Sequence, residues 1–123
     1  MSITIGILSK SNITRQAYCA LLKHNEDFSP LPVEMPANGK LAEELRKSEV
    51  NILLIVVDKP DTAEYNLVSQ LNLSSPKVMI MILAAENNEQ YILRAMKAGA
   101  KGFLNANAGI DELGEAIYTL RNG

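Results

Sequence analysis

The chain has 123 residues, 47% of them hydrophobic and 21% charged, with a formal net charge of −2. This suffices for one domain, residues 1–123, to bury a core without disulfides or metal, and the single cysteine, Cys19, excludes an internal disulfide or a CxxC site and fits a reducing cytoplasm. Interspersed acids and bases leave no electrostatic footprint for nucleic acid or an anionic membrane, and no apolar run approaches a membrane span.

The first apolar run is Ile3 to Leu8. Ser11 or Asn12 can cap the helix after it, whose buried face is expected to carry Ile13, Ala17, Ala20 and Leu21. Residues 28–34 include Pro30 and Pro32, which confine any strand there to a short sheet edge. Leu41, Ala42 and Leu45 mark a short helix opened by Asn38-Gly39. The run Ile52 to Val57 then stops abruptly at Asp58-Lys59-Pro60. Leu67, Val68 and Leu71 mark a third helix, and residues 78–83 the next apolar run. Tyr91, Ile92, Ala95 and Met96 define a fourth helix that Gly99 can terminate. Residues 101–104 make a short strand. The last helix carries Ile110, Leu113, Ile117 and Leu120, with Asp111 and Glu112 suited to the positive end of its dipole.

The three long runs are continuous rather than alternating, as in parallel strands covered on both faces. Five β-α units therefore predict an α/β fold of the flavodoxin-like, doubly wound kind: a parallel sheet in the order 2-1-3-4-5 with helices on both faces. In such a sheet the functional crevice lies beyond the carboxyl ends of strands 1 and 3. That directs attention to residues 9–12, 56–58, 84–85 and 105–107.

The phrase Arg94-Ala95-Met96-Lys97-Ala98-Gly99-Ala100-Lys101-Gly102-Phe103-Leu104 is continued by Asp111-Glu112-Leu113-Gly114-Glu115-Ala116-Ile117 and Arg121-Asn122-Gly123. It resembles the receiver domains of bacterial two-component response regulators, in the branch that precedes LuxR-type helix-turn-helix output domains. The resemblance implies an aspartate at the end of strand 3 that takes a phosphoryl group in the presence of Mg²⁺. It further implies two metal-holding acids after strand 1, a Thr or Ser after strand 4 and a Lys after strand 5. Aligned residue by residue, the acids fall on Ser9 and Lys10, the phosphoacceptor on Val56, the hydroxyl on Ala84 and the lysine on Ala106.

None of these five positions carries the group the family uses. The expectation is a degenerate, or pseudo-, receiver that is not an enzyme and needs no metal or cofactor. It would act in transcription regulation by phosphorylation-independent contact with protein partners, reaching DNA only through an output domain beyond residue 123. A stand-alone signalling adaptor is the rival among binding modules. The rival from another class is a flavodoxin-like flavin or small-molecule binder, because the hydroxyl-rich turn before the first helix suits an anion.

Asp58 lies two residues past Val56, on the same face of an extended strand. It reads first as a solvated loop charge, second as half of a static Lys10–Asp58 pair replacing metal and acid, and last as a working phosphoacceptor. Phe103 holds the place of an aromatic that reorients on phosphorylation in the resembled family; with Ala84 beside it, one packed state is expected. Tyr18, Leu22 and Tyr118, read as lying off the buried stripes of the first and last helices, are the expected apolar surface of a homodimer.

Overall fold

The computed structural model describes residues 2–35, 39–86 and 88–123. Among them, five strands, β1 (Ile3–Leu8), β2 (Phe28–Val33), β3 (Ile52–Val57), β4 (Met79–Ala84) and β5 (Gly102–Asn105), alternate with five helices. These are α1 (Asn12–Leu22), α2 (Leu41–Lys47), α3 (Thr62–Ser74), α4 (Glu89–Ala98) and α5 (Ile110–Asn122). All strand pairs are parallel and the order is β2-β1-β3-β4-β5, as the sequence predicts. The proline-bearing β2 lies at the edge, where a missing N–H need not break a ladder.

Consecutive side chains of β3 enter two different cores. Ile52 and Leu54 join Ile5, Ile7, Leu113 and Ile117 on the α1/α5 side of the sheet. Leu53 and Ile55 join Leu45, Val68 and Ala95 on the α2/α3/α4 side. Because both faces are covered, both sets of positions must be apolar, and the runs do not alternate. Gly6 fits the same packing: a Cβ there would lie 2.9 Å from Val33 Cγ2 and 3.3 Å from Leu53 Cδ1.

The helix ends follow local chemistry. Ser11 caps α1, its hydroxyl accepting from the Thr14 N–H at 3.1 Å. Asp61 and Glu64 form a reciprocal capping box on α3. Gly99 ends α4 at φ +118°, where a Cβ would also come within 2.7 Å of the Asn72 side chain, so turn and packing both require glycine. Asn38, expected to open α2, lies outside the described residues.

The buried face of α1 differs from the expectation. Ile13 is 79% exposed and Leu21 48%, with Ala17 and Ala20 also exposed, whereas Leu22 is 1% exposed and sits in the core. Tyr18 and Cys19 pack against that core, and Arg15 is buried. The stripe facing the sheet is thus Arg15, Tyr18, Cys19 and Leu22, spaced as regularly as the one anticipated. A charged residue begins it because the Arg15 guanidinium finds acceptors at the end of β1. Leu22 is therefore no part of an exposed apolar surface.

Tyr118 is also engaged within the chain. Its ring packs tilted on Phe28, centroids 5.1 Å apart. Its hydroxyl donates to Asp27 Oδ2 at 2.7 Å and accepts from Asn25 Nδ2 at 2.9 Å, tying α5 to the α1–β2 loop. Met96 on α4, expected inside, is 43% exposed.

Two outcomes test this packing. Leu22→Ala removes a core side chain and costs about 2–5 kcal/mol in chemical denaturation, whereas Leu21→Ala changes stability by less than ~0.5 kcal/mol; equal costs contradict the observed phase of α1. The hydrogen bond to Asp27 raises the Tyr118 pKa above its ordinary 10.0. A pKa raised by folding contributes stability below the unfolded value and loses it as pH climbs through the folded one. Tyr118→Phe accordingly lowers the melting temperature at neutral pH, and its gap to wild type closes in strongly alkaline buffer. A gap that does not vary with pH contradicts this assignment.

Candidate functional site

β1 and β3 run side by side with Leu8 in register with Ile55, so their carboxyl ends open one crevice. Ser9 follows β1 at once, and its hydroxyl accepts from the Ser11 N–H at 3.1 Å. Lys10 is exposed beside it. Val56 is half-buried and, like Leu104 and Ala106, packs against the core on the α1/α5 side. Val57 is in register with Ala84, which is fully buried and pairs in turn with Asn105. The Ala106 N–H donates to the Ala84 carbonyl at 2.8 Å, closing that end of the sheet with backbone alone.

Ser9, Lys10, Val56 and Asp58 thus share one mouth, while Ala84 and Ala106 lie farther across the strand ends. Phe103, in register with Ile82, is half-buried and packs with Ala84 on the opposite layer from Val56.

A Mg²⁺ ion does not fit this donor set. A hard dication is held by carboxylate and carbonyl oxygens, but the aligned side chains here are a hydroxyl, an ammonium and an isopropyl group. Among the described residues, no group of three or more His, Cys, Asp or Glu side chains is placed to hold a metal. The hydroxyls of Ser9 and Ser11 each accept a backbone N–H of the turn and its helix, so the anion-suited turn uses them internally.

Asp58 lies past the end of β3, exposed, its carbonyl taking the Glu86 N–H at 2.7 Å. It lines the same mouth as Lys10, but no ion pair joins the two side chains. Of the readings of Asp58 from sequence, the second, a static pair with Lys10, is not formed, and the first, a solvated loop charge, matches the structure. Both chains are solvated, and an exposed pair gains only ~0–1 kcal/mol against the entropy of holding it.

The cation that closes this end of the sheet is Arg15, which the sequence reading passed over. Its Nη1 donates to the Ser9 carbonyl, and its Nη2 to Asn12 Oδ1 at 3.3 Å and Glu34 Oε1 at 3.1 Å. One buried guanidinium so joins the end of β1, the first turn of α1 and the residue after β2. The signal was present: Arg15 precedes Cys19 and Leu22 by four and seven residues, one helical face. Beside Arg15 a groove of about 550 Å³ runs between the ends of β1 and β3 and the helix α3.

At the other flank, the Lys59 ammonium lies 6.0 Å from the centre of the Tyr91 ring. The Tyr91 side chain beside it, with nearby Glu86, raises the lysine pKa. Arg94 covers Tyr65 similarly at 5.9 Å, so α4 is clasped to the β3–α3 loop and to α3 by cations over rings.

No protein-family model matches the chain. Over 122 residues it is 28% identical to transcriptional regulatory protein UhpA of Escherichia coli K12, which covers 98% of this chain and 60% of that protein. The chain spans about three fifths of the length of the curated relatives it matches first. Its backbone superposes on a response regulator from Thermotoga maritima with a TM-score of 0.85 over 100% of both chains, at 19% identity. A LuxR-family two-component response regulator from Aurantimonas sp. SI85-9A1 gives 0.82, at 18% identity, over 98% of this chain and 85% of that one. The fold is that of response-regulator receiver domains.

Proposed function

We propose that this chain is a receiver-type signalling domain that works without phosphorylation, by contact with protein partners, in the regulation of transcription. The observation that carries the reading is Val56: at the end of β3 it presents an isopropyl group, half-buried against the core, where the resembled family uses a carboxylate. Ser9 and Lys10 in place of metal ligands, and Ala84 and Ala106 in place of phosphoryl-binding groups, support it. The 28% identity to a transcriptional regulatory protein supports the regulatory role. DNA enters this reading only through a separate output domain.

Self-association belongs to the same proposal, on a surface corrected by the fold. With Leu22 buried and Tyr118 occupied by Phe28 and Asp27, the exposed apolar side chains that α1 and α5 bring to the rim of one groove are Leu21 and Ile110, 48% and 38% exposed. With no phosphoryl group to switch it, a dimer through this face is constitutive.

Acetyl phosphate or phosphoramidate with Mg²⁺ leaves the intact mass of wild type unchanged, and of Val56→Asp as well, since one carboxylate restores neither the metal site nor the lysine. A phosphorylated peptide containing Asp58 overturns the reading. Melting temperature stays flat through millimolar Mg²⁺, because a ligand stabilises only a fold that binds it. In sedimentation, Leu21→Asp and Ile110→Asp shift a wild-type dimer to monomer; a wild-type monomer at all concentrations, or a dimer indifferent to both, removes the self-association.

A further inference from the structure

We propose that the groove beside Arg15 binds a small amphipathic carboxylate, an apolar body with a single anionic end that takes the place of Glu34 on the guanidinium. The inference concerns ligand binding and stands independently of the phosphorylation chemistry above.

Arg15 is 7% exposed, always charged, and offers five N–H donors in a fixed fork. Nη1 and Nη2 are engaged, but Nε is buried and has no partner. A carboxylate binds arginine best by bridging two donors of the fork. Glu34 supplies one oxygen to Nη2 alone, from a side chain 75% exposed to water, at the open end of β2. The buried cation is therefore matched with a loosely held, one-pronged anion that water can readily take back. A carboxylate able to reach both Nη2 and Nε completes what Glu34 leaves half-supplied.

The rest of the groove sets the remainder of the ligand. Arg15 and Glu34 line it together with Ile55, Val57, Ala63 and Leu67. Its exposed area is mostly apolar, and Met35, 55% exposed, is a flexible thioether wall that adapts to shape. About 550 Å³ lies within the ~300–1,000 Å³ typical of small-molecule sites, apolar walls with few polar groups. A monoanion fits the charge: it exchanges one carboxylate for another as Glu34 turns to water. A dianionic phosphate instead adds charge beside Glu64, which also lines the groove and already caps α3.

The test uses octanoate as probe and 1-octanol as its uncharged counterpart, followed by ¹H–¹⁵N spectra of the full chain. Octanoate produces saturable shifts at Met35, Ala63 and Leu67, and octanol binds at least about tenfold more weakly. Glu34→Gln, which keeps the shape but removes the competing charge, tightens octanoate by about threefold or more. Arg15→Met weakens it by at least about tenfold. Ala63→Trp, on the exposed first turn of α3, fills the groove and abolishes binding, which keeps the test decisive if Arg15→Met does not fold. The proposal is overturned by any of three results: no saturation at millimolar octanoate in wild type and Glu34→Gln, equal affinity for octanol, or wild-type affinity in Ala63→Trp. The phosphodonor experiment reads a different property, so the failure of one leaves the other standing.

Discussion

A strand buried on both faces leaves a charge without water, and β3 is fully buried through Ile55 and half-buried at Val56 and Val57. Its neighbours β1 and β4 seal its edges, and its side chains divide between two cores that between them draw on all five helices. A carboxylate at position 56 would need a cation to offset its desolvation, which runs to several kcal/mol for an unpaired ion. In receivers that take a phosphoryl group, the resemblance assigns that offset to a bound metal and a lysine. In the proposed reading valine removes the need for either, and Ser9 and Lys10 after β1 and Ala106 after β5 supply neither.

The same constraint explains why Arg15 matters. The end of β1 leaves the Ser9 carbonyl pointing beyond the sheet, where a buried acceptor without a donor costs about 1–3 kcal/mol. Arginine in the first turn of α1 satisfies it, and its other arm reaches the end of β2. The phase of α1 follows. Once residue 15 is anchored over β1, residues 18, 19 and 22 must face the sheet, while Ile13, Ala17 and Leu21 turn outward.

This marks where the sequence was legible and where it was not. Strand order, the edge position of the proline strand, the Ser11 cap and the Gly99 stop all follow from short-range rules, and all are present in the fold. The face of α1 did not follow, because two regular stripes compete on that helix and the one that wins begins with arginine. Only a tertiary partner, the Ser9 carbonyl, separates them. Leu22 and Tyr118 were misplaced for related reasons: the first depended on that phase, the second on a phenol whose partners, Asn25 and Asp27, lie some ninety residues away. The crevice positions were legible because strand ends converge wherever this topology occurs. The groove was not, since it arises from spacing between α3, β2 and β1 that no local pattern records.

A two-state element moves only when something binds its two states unequally. In this crevice the apolar side cannot supply that difference: Ala84 has no hydroxyl to draw toward an anion, and Phe103 is already packed against the core beside it. The Arg15 side differs. There a buried cation is joined to an exposed glutamate by a single hydrogen bond, so exchanging that partner changes local contacts without unfolding a core. Glu34 ends β2 on the sheet edge, and the chain from there leads to α2, whose Leu41 and Leu45 are locked into the core. A partner exchanged at Arg15 changes contacts at the ends of β1 and β2, on the side of the sheet away from Ala84 and Phe103.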